Sequence, residues 1–176
     1  MLTLSHISKS YGKFLAVEDI NLELEHRLYG MLAPNGAGKT TLIKMITTLL
    51  FPSEGEILYD GIPIQKMGEK YRDRIVILST HIVSDIESIA NQVIMIKDKH
   101  LYQMDTVANI CGLLDGKVYE RPVGDDDFVD FEKEHLVLSA RQEQEFLQVR
   151  YYSEKPEAEA KPCTPNLEDM FLVSYQ

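Results

Sequence analysis

A chain of 176 residues has room for one ordinary domain, or one with a small appendage, and a 44% hydrophobic share lets it bury a core. Its formal net charge of -10 argues against general nucleic-acid binding, which works through cationic patches. The longest apolar runs, Ile75 to Leu78 and Val93 to Ile96, fall far short of the ~20 residues that cross a bilayer, and no basic-then-apolar leader opens the sequence, so a soluble, cytosolic chain is expected. Cys111 and Cys163 lack metal-ligand spacing and are expected to stay reduced.

In chain order, Leu2, Leu4 and Ile7, then Ala16-Val17, Ile20, Leu22 and Leu24, alternate as two strands around a turn from Lys9 to Lys13. This hairpin-like antiparallel layer brings Tyr11 forward, either as a ring that packs the turn or as a stacking platform for a base. An apolar strand from His26 to Leu32 then runs into Ala33-Pro34-Asn35-Gly36-Ala37-Gly38-Lys39-Thr40-Thr41, after which Leu42, Ile43, Met45 and Ile46 recur at helical spacing. Strand, glycine loop and helix together set backbone N–H groups and a positive helix end around one point, and such a point binds phosphate. Gly36 and Gly38 let the main chain curl close to the anion, Lys39 reaches the β- and γ-phosphates, and the Thr40 hydroxyl can ligate Mg²⁺. The alternative is an ordinary glycine-rich turn at a helix start; the Gly-Lys-Thr ending between an apolar strand and an apolar helix favours phosphate. Ala33 stands where the motif has its first glycine, and if that position needs positive φ, alanine costs about 1 kcal/mol. The helix is expected from Lys39 to about Leu50, followed by a turn, a short strand from Ile57 to Tyr59 and a turn at Asp60-Gly61.

These stretches, SKSYGKFLAVEDINLEL, MLAPNGAGKTTLIKMI and PSEGEILYDG, resemble the first third of an ABC-type ATPase, the nucleotide-binding subunit of an ABC transporter of bacterial efflux type. The resemblance implies that Tyr11 stacks on adenine and that Ala33 to Thr41 hold the phosphates of ATP, with Mg²⁺ at Thr40. Ile77 to Asp85 is similar to the family's switch segment, which makes His81 the residue that contacts the γ-phosphate and positions the attacking water. It also implies a cytoplasmic subunit, peripheral to the inner face of the plasma membrane through a separate transmembrane permease. Such a subunit forms a homo- or hetero-dimer with another ATPase subunit, closing each nucleotide between them.

Only about forty residues separate Gly38 from His81, far fewer than the resemblance implies. The part expected there carries the Q-loop glutamine, the signature and the Walker B strand ending in Asp-Glu. No LSGG occurs; Ile75 to Leu78 ends in Ser79-Thr80, and Val93 to Ile96 ends in Lys97-Asp98. The chain therefore reads as internally deleted near Tyr71-Arg72-Asp73-Arg74, with weak MgATP binding and very slow or absent hydrolysis expected. In folds of this kind the histidine's strand lies between the phosphate-loop strand and Walker B, so Ile75 to Leu78 is expected at an exposed edge prone to association. A non-catalytic module that pairs with an intact ATPase subunit is the other reading. A small P-loop kinase needs an arginine-rich lid, and Arg27, Arg72, Arg74, Arg121, Arg141 and Arg150 are scattered.

After His81, a short helix from Ser84 to Asn91, a strand from Val93 to Ile96, a turn at Lys97 to His100, an antiparallel return over Leu101 to Met104 and a helix from Thr106 to Leu114 are expected. Lys117 to Glu120 then reads as a strand, and Gly124-Asp125-Asp126-Asp127 as the capped, solvated start of a helix rather than a metal site. Leu136 to Leu138 and Phe146 to Tyr151 alternate like a hairpin, and Glu154 to Pro162 is a polar linker. A terminal helix follows with Asn166 as its cap. This second unit resembles the small C-terminal domain of some efflux ATPases, and Pro165 to Phe171 resembles the family's ending. The expected fold is α/β: a P-loop NTPase-like sheet with an N-terminal antiparallel β layer over residues 1–114, then a small α+β domain over 115–176.

Overall fold

The computed structural model describes residues 1–67, 75–79, 83–155 and 159–176. Two compact units divide between Val107 and Ala108. The first contains β1 (Leu2–Tyr11), β2 (Phe14–Leu24), β3 (Leu28–Leu32), α1 (Lys39–Ile46), β4 (Glu54–Tyr59), β5 (Ile62–Pro63), a 3-10 turn (Ile64–Lys66), β6 (Val76–Leu78), α2 (Val83–Ile89), β7 (Gln92–Lys97) and β8 (His100–Asp105). The second contains α3 (Val107–Gly112), β9 (Val118–Val123), α4 (Phe128–Glu134), β10 (Leu136–Gln142), β11 (Leu147–Tyr152), β12 (Lys161–Pro162) and α5 (Leu167–Tyr175). α3, expected before the boundary, falls with the second unit.

The first unit has two sheets. β2, β1, β4 and β5 form an antiparallel layer in that order; in the other, β6, β3 and β7 run parallel and β8 returns antiparallel to β7. Both sheets and α1 meet in one core, where Leu4, Ile20, Leu24, Met31, Leu42, Met45, Ile57 and Ile94 are buried. Each buried aliphatic side chain contributes roughly 1.5–3 kcal/mol. β7 is covered on both faces, which is why Val93 to Ile96 reads as an unbroken apolar run. α2 connects toward β7 across β3 and packs on it through Ile86, which is fully buried. β6 is bonded to β3 on its inner side and, among the described residues, has no strand on its outer side; Val76 is 54% exposed there.

Local chemistry explains where elements stop. The expected helix to Leu50 ends at Ile46, because the Thr47 hydroxyl donates to the Ile43 carbonyl at 2.8 Å and Thr48 takes a φ of 57°. Leu49 keeps helical apolar spacing but is exposed. Asp98 and Lys99 turn between β7 and β8 with φ of 50° and 72°, the left-handed pair that a tight hairpin turn requires.

In the second unit the sheet order is β10, β11, β9, β12. Phe131 of α4 lies edge-on to Tyr151 at 5.1 Å between ring centroids and stacks on His135 at 4.2 Å, with Val149 and Tyr119 completing the core. Two expectations are corrected. Asp127 precedes α4 but makes no side-chain capping bond, since its own φ and ψ of -88° and -14° are helical rather than extended. The linker's last residues, Lys161 and Pro162, pair with Glu120 and Tyr119 of β9. The Asn166 cap is present: its side chain accepts from the Asp169 N–H at 2.8 Å while Asp169 accepts from the Asn166 N–H at 2.9 Å, a reciprocal box.

Candidate functional site

The site starts from a strand with no freedom. Tyr29 to Leu32 are buried, so β3 delivers the chain to the loop at a fixed point. Ala33 is also buried and does not have positive φ, so the strain considered for it does not arise. The left-handed positions are Gly36, at φ 83°, and Gly38, at φ 99°. Gly38 is also where β2 backs the loop: a Cβ there would overlap Val17 Cγ1 and stand 2.6 Å from the Ala16 carbonyl oxygen. Gly38 is the N-cap of α1 and has no side chain to bond the first-turn N–H groups, which leaves that helix end to a ligand.

Lys39 opens α1 and turns back over the loop. Its ammonium donates to the Ala33 carbonyl and, at 3.0 Å, to the Pro34 carbonyl. Burial pushes its pKa below the usual lysine value. Two neutral carbonyls thus hold a cation to which anionic phosphate oxygens would bond more strongly.

A cavity of about 300 Å³ lies at this point. Pro34, Asn35, Gly36, Gly38, Lys39, Thr40 and Thr41 form one side, Phe14 and Ala16 of β2 another, and Ser79 after β6 a third. The loop residues read from the sequence are therefore brought together, with Ala33 and Ala37 buried behind them as core. Thr40, the expected metal ligand, is exposed at the cavity wall. Among the described residues no carboxylate lines the cavity, so the donor set suits a polyphosphate and offers Mg²⁺ neutral hydroxyl and amide oxygens.

Tyr11 is 47% exposed, with the Lys9 ammonium 5.6 Å from its ring centroid, and it does not line this cavity. Its cross-strand partner Phe14 does. Sequence reasoning missed Phe14, Ala16 and Ser79; the pairing of residues 11 and 14 across a two-residue turn was the available signal for Phe14. His81 lies outside the described residues, as does the expected junction at Tyr71 to Arg74.

The family model described as ABC transporter matches residues 17–156, and the chain belongs to that family. It is 43% identical over 65 residues to the uncharacterized ABC transporter ATP-binding protein YhaQ of Bacillus subtilis. It is also 36% identical over 63 residues to the phosphonates import ATP-binding protein PhnC 2 of Haloquadratum walsbyi. Each match covers 36% of this chain and 22% of the relative, so the chain matches about a fifth of the length of these curated proteins. Among solved structures, an ATP binding subunit of an ABC transporter superposes with a TM-score of 0.55 at 14% identity, over 62% of this chain and 91% of that one. A dimeric ATP-binding cassette bound to ADP and phosphate superposes at 0.51 and 14% identity, over 60% and 98%. The fold is that of the P-loop ABC ATPase domains, and no helix among the described residues is long and apolar enough to cross a membrane.

Proposed function

We propose that the chain is an ATP-binding subunit of an ABC exporter that takes MgATP at the loop from Ala33 to Thr41. It acts in the cytoplasm, at the inner face of the plasma membrane, through a separate transmembrane permease and a dimer with itself or another ATPase subunit. The observation that carries this reading is the loop itself, with two left-handed glycines, an uncapped helix start and Lys39 folded onto two carbonyls at the cavity. In it Lys39 exchanges those carbonyls for the β- and γ-phosphate oxygens, the loop N–H groups hold the remaining oxygens, Thr40 ligates the metal, Tyr11 stacks on adenine and His81 reaches the γ-phosphate. Mg²⁺, when bound, neutralises charge on the β- and γ-oxygens.

The reading includes an internal shortening. Residues 1–114 are a nucleotide-binding domain without Q-loop, signature and Walker B, and residues 115–176 are the small domain that follows it. Half of each composite site is then present, and hydrolysis is very slow or absent, because the missing carboxylates position water and metal. The lack of a carboxylate among the described cavity residues also favours a second reading, a non-catalytic module that occupies one site beside an intact subunit.

Thermal melts of the chain with and without MgATP, beside Lys39→Ala, test nucleotide binding. A ligand at about 100 times its Kd adds about 2.7 kcal/mol to stability. A transition that rises with MgATP in the wild type and not in the variant is expected; no rise in either overturns the proposal.

A further inference from the structure

One line of irregular backbone crosses three strands of the antiparallel layer. The β1 ladder slips between Leu4 and Ile7 against β2, and between Ser5 and Ser8 against β4. At that level His6 of β1 has a φ of 52°, Asp19 of β2 a φ of 46° and Gly55 of β4 a φ of 80°. Gly55 is required there, since a Cβ would stand 2.3 Å from the carbonyl oxygens of both Ser5 and His6. His6 and Asp19 carry side chains at a backbone angle few such residues adopt, and the two meet, with His6 Nδ1 2.8 Å from Asp19 Oδ1. Side chains also take up backbone groups that the slipped ladder frees. The His6 N–H donates to Asn21 Oδ1 at 2.8 Å, the Asp19 N–H donates to Ser8 Oγ at 3.0 Å, and Asn21 Nδ2 donates to the Asp19 carboxylate at 3.2 Å. The bend is thus pinned from both strands.

Its place gives the bend a consequence. Asp19 lies two residues from Val17, and Val17 and Ala16 are the wall against which Gly38 turns. The side chains of His6 and Asp19 are 76% and 59% exposed, so protons reach the pair freely. The bond from His6, and after it the bond from Asn21, holds the Asp19 carboxyl below its usual value, so from about pH 5 to about pH 8 the imidazole is the member whose charge changes. The other charged groups nearby are Glu18 and His100, 3.4 Å apart, with His100 also acting on Asp19, and Glu54 and Glu56 of β4 in register with Ser8 and Ser5.

We propose that the His6–Asp19 pair is a pH-sensitive latch: when the imidazolium forms, the pair tightens across the bend, holds β2 against Gly38 and raises the loop's affinity for a polyphosphate. The inference rests on the reading that the loop binds MgATP. Neither residue lines the cavity, so both are positioning residues that act through Ala16 and Val17.

Calorimetric titration of the full chain with MgATP at about pH 6 and about pH 8 tests this, on either side of ordinary histidine titration. The ligand's own protonation is common to every chain, so the ratio of the two affinities is compared across variants. The wild type is expected to bind about two- to fivefold more tightly at the lower pH, the range an exposed ion pair supports. His6→Gln and Asp19→Asn are expected to lose that ratio and His100→Gln to keep it. A ratio that persists in His6→Gln, or vanishes in His100→Gln, overturns the latch, as does a wild type that binds equally at both. Hydrogen exchange of the amides over residues 14–18 reads the latch with no nucleotide present. At about pH 6 it is expected to be faster in Asp19→Asn than in the wild type, and equal rates overturn the latch. A wild type that binds no MgATP at either pH overturns the nucleotide reading and the effect on affinity with it, while faster exchange in the variant still supports the latch itself.

Discussion

At the scale of single residues, two cations in this chain are held in opposite ways. Arg150 of β11 donates from Nη2 and Nε to the two carboxylate oxygens of Asp169 at 2.6 and 2.9 Å, from Nη1 to Glu120 at 3.1 Å and from Nη2 to the Thr164 carbonyl at 2.7 Å. The side chains of Arg150 and Asp169 are 15% and 4% exposed. The hydrogen bonds to Asp169 raise the guanidinium pKa above its usual range, so its stabilising effect is complete below the unfolded value and persists across ordinary pH. Replacing it strands a buried carboxylate, which costs roughly 3–5 kcal/mol. Arg150→Met is therefore expected to undock α5, seen as faster hydrogen exchange across residues 167–175 in the intact chain.

Lys39 is the other case. Its folded pKa lies below the ordinary value of 10.5 because of burial. Between the lowered value and 10.5 the unfolded chain binds more protons than the folded one, so stability rises with pH in that window. Melts across it are expected to show a steeper rise in the wild type than in Lys39→Ala, and equal slopes would remove burial as a cost at the loop.

At the scale of elements, Gly30 decides how α2 lies on β3. A Cβ on Gly30 would overlap Ile86 Cγ2 and stand 3.3 Å from the Ala90 Cβ, so the helix crosses at the one position of the strand with no side chain. Gly30→Ala is expected to cost about 1–3 kcal/mol by overpacking. Adding Ile86→Ala removes the clash and should return part of that loss, a coupling that a double-mutant cycle of urea unfolding would measure.

Much at this scale was legible in the sequence because it depends on neighbours along the chain. Alternation marks β1 and β2, Asp98 suits the positive φ of the β7–β8 turn, and Asn166 marks the start of the last helix. What was not legible depends on distant partners. Lys161-Pro162 looks like linker and becomes a strand only because β9 offers an edge, where a proline's missing N–H can point away from the ladder. Arg150 reads as one scattered arginine until folding brings Asp169 to it. In the site, the loop's spacing is a local signal, whereas the part Phe14 plays in the wall depends on how β2 backs that loop.

At the scale of the whole molecule, the question is whether binding and turnover come apart. Phosphoryl transfer asks the protein for positioning and charge more than for covalent chemistry, so a site can keep its phosphate contacts while losing nearly all its rate. The described cavity has that composition: an ammonium, hydroxyls and loop amides, with no carboxylate to hold the metal or polarise water. Purified chain is therefore expected to shift its melting transition with MgATP yet to release phosphate no faster than Lys39→Ala. Multiple turnovers that depend on Lys39 would mean that a carboxylate reaches the nucleotide from elsewhere in this chain or from a second copy. If turnover stays at background, mixing the chain with an intact ATPase subunit separates the two functional readings. A broken exporter subunit leaves that subunit's rate unchanged, whereas a regulatory module changes it, and does so only while Lys39 is present to hold its nucleotide.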